Sequence, residues 1–295
     1  MRVAFVLVAA LLLGACQTTK PAGISAACAA EIADVEHYNR LLVERGLPPS
    51  IVLNRHCRAE QLAGRQIEDT RPTSVNYIAR PKGPQVAKGA VIFINGLDFR
   101  NIRHHYDDPT PDILRWFVTA GFDVYRLDLA PKDQNPSDVL FAATERAILD
   151  MRRQNYRRVF IVGQSAGGNA GLASISRGSA VQSDGAIAFA VGGINGLASA
   201  EFNLGYHRLF TGQIEPTKRV AVFHFRNDKV LGQWQREAVE ISRANLSGRR
   251  NAMVRVPPTV EGHGAAGTFE FESTYGACLA AFLAADDPDG SICPP

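Results

Sequence analysis

Arg157-Arg158-Val159-Phe160-Ile161-Val162-Gly163-Gln164-Ser165-Ala166-Gly167-Gly168-Asn169-Ala170 is the stretch that decides how this chain is read. Val159 to Val162 are four consecutive apolar residues, rich in β-branched and aromatic side chains, the pattern of a strand buried on both faces. Gly163 to Gly167 follows without a spacer, and small, helix-compatible sequence comes next (Asn169, Ala170, Leu172, Ala173). A strand that must become a helix within so few residues forces the turning residue into strained φ/ψ. Its neighbours two positions on either side must be tiny, or their Cβ atoms strike the adjacent backbone. The turn predicts an exposed Ser165 hydroxyl at the carboxyl end of a sheet, beside a helix N-terminus.

Working outward, further apolar strands are expected at Ser74–Arg80, Ala90–Ile94, Phe122–Leu129, Ala186–Val191, Arg219–Phe225 and Ala252–Val256. Helical spacing runs through Ile24–Arg45 (Ile32, Val35, Tyr38, Leu42) and stops at Gly46-Leu47-Pro48-Pro49. Thr110-Pro111-Asp112 predicts a capped helix with an N1 proline, ended by Gly121. Asn135-Pro136 opens another, with Val139, Leu140, Ala143, Ala147 and Met151 on one face, and Phe271, Tyr275, Leu279, Phe282 and Leu283 mark a closing helix. Strands alternating with helices across short loops define the fold class as α/β: a doubly wound, mostly parallel sheet with helices on both faces. Gly193–Lys218 is long enough for a short cap at most. Its Phe202, Tyr206, Leu209 and Phe210 either wall an acyl pocket or pack on the sheet.

At 295 residues, 46% hydrophobic and 21% charged, with a formal net charge of +3, the composition is that of an ordinary globular protein. The basic pairs Arg152-Arg153, Arg157-Arg158 and Arg249-Arg250 lack interleaved aromatics, so they read as solvated helix ends and turns, not as a nucleic-acid surface.

Met1-Arg2 is a short positive start, and Val3–Leu13 is an unbroken apolar run too short to span a bilayer but suited to a signal peptide. Leu13-Gly14-Ala15-Cys16 resembles the lipobox of bacterial lipoproteins. That resemblance implies a leader over 1–15, lipidation of Cys16 and a tether over 16–23. Gln17 after the cysteine implies sorting to the outer membrane, facing the periplasm. In that oxidising compartment the remaining Cys28, Cys57, Cys278 and Cys293 suggest two disulfides, with three possible connectivities. The nearest-neighbour scheme, Cys28–Cys57 and Cys278–Cys293, would staple both ends of the domain, each loop worth roughly 3–4 kcal/mol.

Set between strand and helix, Gly163-Gln164-Ser165-Ala166-Gly167 resembles the nucleophile elbow of the α/β-hydrolase superfamily. The resemblance covers about 73–295 and leaves 24–72 as an N-terminal helical extension. It implies a serine nucleophile, Ser165, followed in chain order by an acid and a histidine. His224 sits inside an apolar strand and reads as a hydrogen-bonded core residue. His263, in Val260-Glu261-Gly262-His263-Gly264, resembles the catalytic base. Asp228 follows a strand in Arg226-Asn227-Asp228-Lys229-Val230 and is the preferred acid. Glu261 competes but, two residues from His263, would struggle to reach the same ring. Backbone N–H groups of Ala166 and Leu97 would form the oxyanion hole, with Asn95-Gly96 standing where the superfamily often has His-Gly. His104-His105-Tyr106-Asp107-Asp108 reads as a polar rim loop, since adjacent histidines rarely share an ion. No metal and no cofactor is expected. The expected activity is hydrolysis of small to medium acyl esters. An acyltransferase on the same triad, or a non-catalytic envelope lipoprotein using the fold for binding, remain the alternatives, and oligomeric state is left open.

Overall fold

The computed structural model describes residues 26–44, 73–74, 82–96, 110–127, 136–191 and 200–295. Among them run α1 (Ala26–Glu44), β1 (Thr73–Ser74), β2 (Ala90–Ile94), α2 (Leu114–Thr119), β3 (Asp123–Leu127), α3 (Pro136–Arg153) and β4 (Val159–Gln164). Then follow α4 (Ala166–Ser174), β5 (Gly185–Phe189), α5 (Ala200–Gly212), β6 (Arg219–Phe223), α6 (Gln235–Leu246), β7 (Ala252–Arg255) and α7 (Phe269–Ala284). The seven strands form one sheet in the order β1-β3-β2-β4-β5-β6-β7. β1 pairs antiparallel to β3, and every other pair is parallel. β4, the nucleophile strand of the sequence reading, lies in the middle.

The continuous apolar runs are explained by this position. β2, β3 and β5 are buried at every residue, as parallel strands covered on both faces must be. Alternate residues of β4 serve opposite layers. Phe160 and Val162 join a core with Leu114 and Phe117 of α2 and Phe271, Tyr275 and Phe282 of α7. Val159 and Ile161 meet Leu140, Ala143, Ala147 and Met151 of α3 and Ala166 and Ala170 of α4. The doubly wound expectation therefore holds, and the elbow between β4 and α4 gives the sheet the form of the α/β-hydrolase fold.

Under α7 a charge pair is sealed into the first of these layers. Arg115 and Glu272 are both buried and form an ion pair, and the Trp116 indole Nε1 donates to Glu272 Oε1 at 3.0 Å. Burial pushes the Glu272 carboxyl up, against the opposing pull of the Arg115 charge. Gly276 makes room for the indole: a Cβ there would lie 2.2 Å from Trp116 Cδ1.

Several elements depart from expectation. Thr110 does not cap a helix at Pro111. Its Oγ1 accepts from the buried Arg126 guanidinium at 3.2 Å, and i→i+3 bonds from Leu114 and Arg115 back to Pro111 and Asp112 precede α2, which begins only at Leu114. Gly121, at φ +100°, does end the helix. β5, β6 and β7 each end earlier than expected, as the chain enters the loops at the carboxyl edge; β3 begins one residue later than expected, at Asp123, and positions 128–129 lie outside the described residues. Of the strand expected over Ser74–Arg80, Ser74 belongs to β1, while Val75–Arg80 lie outside the described residues.

The Gly193–Lys218 segment contains α5, which packs beside α6 and α4. Phe210 meets Phe141 of α3 edge-on with ring centroids 5.8 Å apart, and Leu209 is exposed. The side chains of Phe202 and Tyr206 lie outside the described ones. Cys278 and Cys293 form a disulfide with Cα atoms 5.2 Å apart. Cys28 is disulfide-bonded too, and Cys57 lies outside the described residues.

Candidate active site

Ser165 stands between β4, which ends at Gln164, and α4, which begins at Ala166. Its N–H donates to Phe189 O at 2.8 Å, continuing the β4–β5 ladder, while its carbonyl accepts the first bond of α4 from Asn169 N at 3.1 Å. Meeting both demands leaves φ +53° and ψ −118°, a conformation that costs a non-glycine residue of order 1–3 kcal/mol. The flanking glycines are needed as the sequence predicts. A Cβ on Gly163 would lie 2.2 Å from Gly167 O, and one on Gly167 would lie 2.2 Å from Ile94 O.

The serine is less open than expected, at 5% exposure. Gly96 accounts for part of this, because a Cβ there would sit 3.1 Å from Ser165 Cβ and 3.7 Å from its Oγ. Asn95 Oδ1 accepts from Gly96 N at 2.9 Å, so the Asn-Gly turn is set by the asparagine's own side chain. Leu97, whose N–H was expected in the oxyanion hole, lies outside the described residues. Ala166 is the first residue of α4, where backbone N–H groups lack intrahelical acceptors.

Two loops from the neighbouring edge bring the other expected residues together. Asp228, after β6, is buried. Its Oδ1 accepts from the N–H groups of Val230 (2.9 Å) and Leu231 (3.3 Å), and its Oδ2 accepts from His263 Nδ1 at 2.9 Å. That pairing leaves His263 Nε2 as the ring nitrogen available for other work. The imidazole side chain is 23% exposed. Among the described residues its ring is not hydrogen-bonded to Ser165 Oγ; such bonds are often loose in unliganded sites and tighten when substrate binds.

Glu261 does not compete for the ring. It takes Arg226 at 3.0 Å and Asn227 Nδ2 at 2.5 Å, while Gly262 N donates to Arg226 O at 2.7 Å. Glu261 thus clasps the acid loop to the histidine loop, a role that the sequence reading missed. The signal was present in its adjacency to His263, but the partner loop lies 34 residues away. A second missed residue is Gln164, whose Nε2 donates to the His263 carbonyl at 3.0 Å. His224 behaves as a core residue. It is fully buried, and its Nε2 bonds Ser242 Oγ at 2.9 Å; the same hydroxyl bonds His207 Nε2 at 2.8 Å. The stretch His104–Asp108 lies outside the described residues, as do Cys16 and the leader.

Fold and site together define an α/β protein with a strained serine at the elbow of its central strand and, on the same edge, a part-exposed histidine paired with a buried aspartate. The sequence matches no protein-family model and no curated protein. Solved structures resemble it distantly. A truncated carbohydrate esterase from gut microbiota is 15% identical with a TM-score of 0.47, over 68% of this chain and 87% of that one. The apo form of Thermogutta terrifontis esterase 2 is 16% identical with a TM-score of 0.45, over 73% of this chain and 84% of that one. The Pyrococcus furiosus esterase Pf2001 is 14% identical with a TM-score of 0.44, over 64% and 81%. Likeness this remote says nothing about substrate.

Proposed function

We propose that the chain is a serine hydrolase of acyl esters working through Ser165, His263 and Asp228. The observation that carries this is the strained Ser165 on the same sheet edge as the His263–Asp228 pair. A serine hydroxyl attacks poorly unless a base takes its proton. His263 Nε2 takes that proton as Oγ bonds the acyl carbon, and Asp228 holds the Nδ1–H tautomer and stabilises the imidazolium. The Ala166 N–H, with Leu97 N–H as the second donor, steadies the oxyanion. The ester C–O bond then breaks, and the alcohol leaves with the proton from His263. Water repeats the sequence through the same base, releasing the acid and restoring Ser165.

A fluorophosphonate probe and a series of acyl esters graded by chain length test this reading. Labelling should map to Ser165, and ester turnover should disappear in Ser165→Ala. A label on another serine, or undiminished turnover in that variant, would overturn the assignment. Recovery of an acylated alcohol in place of free acid would redirect it to acyl transfer.

The proposed address is the outer membrane, with lipid on Cys16. It is supported by the leader sequence alone. Cys16→Ser should release the protein from the membrane fraction or leave it unprocessed; wild-type protein found in the cytosol with Met1 intact would count against export.

A further inference from the structure

We propose that Gln164 is a positioning residue, its side-chain amide holding the His263 backbone, and through it the imidazole, in register with Ser165. The inference rests on the serine-hydrolase reading and assigns the tether that keeps its base aligned with its nucleophile.

Gln164 is the last residue of β4 and shares a face with Phe160 and Val162, because strand side chains alternate. Those two lie in the core beneath α7, so their column points toward the side from which the His263 loop enters that helix. At the top of this apolar column stands an amide, and it meets a carbonyl: Gln164 Nε2 donates to His263 O at 3.0 Å. The loop needs such a restraint. Gly262 has φ +88°, and a Cβ on either Gly262 or Gly264 would meet nothing within 4 Å. Packing anchors the segment at Val260, Ala265 and Ala266, but the open space around the two glycines that flank His263 leaves its backbone able to reorient unless hydrogen bonds prevent it.

The other restraints come from the acid loop. Asp228 holds the ring at Nδ1, Arg226 O holds Gly262 N, and Glu261 holds Arg226 and Asn227. These bonds tie the two loops to each other and not to the strand that carries the serine. Among the described residues, Gln164 supplies the hydrogen bond that joins 260–264 to the nucleophile strand. It does so from the residue directly before Ser165, so one side-chain rotamer sets the distance between the two main chains. Displacements near 1 Å cost on the order of 100-fold in rate.

The test uses the full-length protein in detergent, comparing wild type with Gln164→Met, which keeps length but not the donor, and Gln164→Glu, which sets an acceptor against the carbonyl. For p-nitrophenyl acetate, kcat should fall roughly 10- to 100-fold with KM changed by less than about twofold, the pattern of lost alignment. The thermal midpoint should stay near that of wild type, and backbone hydrogen exchange should quicken over 260–264. Wild-type kcat in Gln164→Met, or unchanged exchange in that loop, would overturn the tether. So would a fall in kcat that tracks a fall in midpoint with exchange rising across the whole sheet, since that marks a packing residue. A wild-type protein inert to both ester and phosphonate would overturn the reaction reading instead, and loop exchange alone would then decide whether the tether exists.

Discussion

Gly163 and Gly167 stand so close across the elbow that a Cβ on the first would lie 2.2 Å from the carbonyl oxygen of the second. That atom is backbone and belongs to α4, so it cannot swing aside as a side chain would. Gly163→Ala must open the β4–α4 turn or shift the helix. The expected cost is about 3 kcal/mol or more, the upper range for overpacking a rigid site. Urea unfolding checks it: a midpoint equal to wild type would mean that the elbow is softer than its geometry implies.

Ser165 separates activity from stability. Ser165→Ala should lower ester turnover by roughly four to six orders of magnitude with little change in folding, since alanine meets the same strain at φ +53°. Ser165→Gly should be equally inactive but more stable than Ser165→Ala, by about 1 kcal/mol, because glycine tolerates positive φ. Thermal melts of the two inactive variants compare them directly, and equal midpoints would argue against stored strain at this residue.

The two acidic candidates should part company in kinetics. Asp228→Asn is expected to lose around 10⁴-fold in kcat through the wrong imidazole tautomer. Glu261→Gln retains hydrogen-bonding capacity toward Arg226 and Asn227 and should lose at most about tenfold, the loss of one weak charged contact. A silent Asp228→Asn beside a dead Glu261→Gln would transfer the acid role.

Acid should weaken the fold through His207 and His224. Burial holds His207 down to about 4, and burial first, then repulsion by His207 once it is protonated and by Arg243, holds His224 well below its ordinary value. Both imidazoles therefore stay neutral in the folded protein while the unfolded chain takes up protons below about 6.5. A folded pKa below the unfolded one makes this contribution complete above pH 6.5 and progressively lost as pH falls toward 4. Each such group adds up to about 1.4 kcal/mol per pH unit in that window. Denaturant midpoints from pH 7 to 4 should show a shallower decline in His207→Gln; identical slopes would mean that His207 is already protonated in the fold.

The carboxyl tail should depend on its disulfide less than a free loop would. Closing the 15-residue span between Cys278 and Cys293 is worth about 3 kcal/mol on the chain-entropy model. The tail is also stitched to the edge strand β7, with Arg255 Nη2 donating to Gly290 O (2.7 Å) and Cys293 O (3.0 Å), and Gly290 N donating to Arg250 O (2.8 Å). Cys293→Ser should therefore lower stability by up to about 3 kcal/mol while leaving ester turnover intact. Loss of turnover at a temperature where the variant remains folded would tie the tail to the site.

Sequence by itself determined the sheet and the elbow. Both are local demands: apolar runs such as Val159–Val162 must be buried on two faces, and Gly163, Ser165 and Gly167 satisfy a turn that admits few other residues. It also named His263 and Asp228 as the residues most worth bringing together, from their places after successive strands. Tertiary structure decided what depends on surfaces distant in the chain. It paired Asp228 with His263 across 35 residues and gave Glu261 to the acid loop. It engaged Thr110 with Arg126 instead of a helix N-terminus and joined Gln164 to His263 across 99 residues. A hydrogen bond across such separations is set by where two backbones happen to meet. Neither residue's type nor its neighbours in sequence encode that meeting, because a polar side chain has several near-equal partners until packing removes all but one.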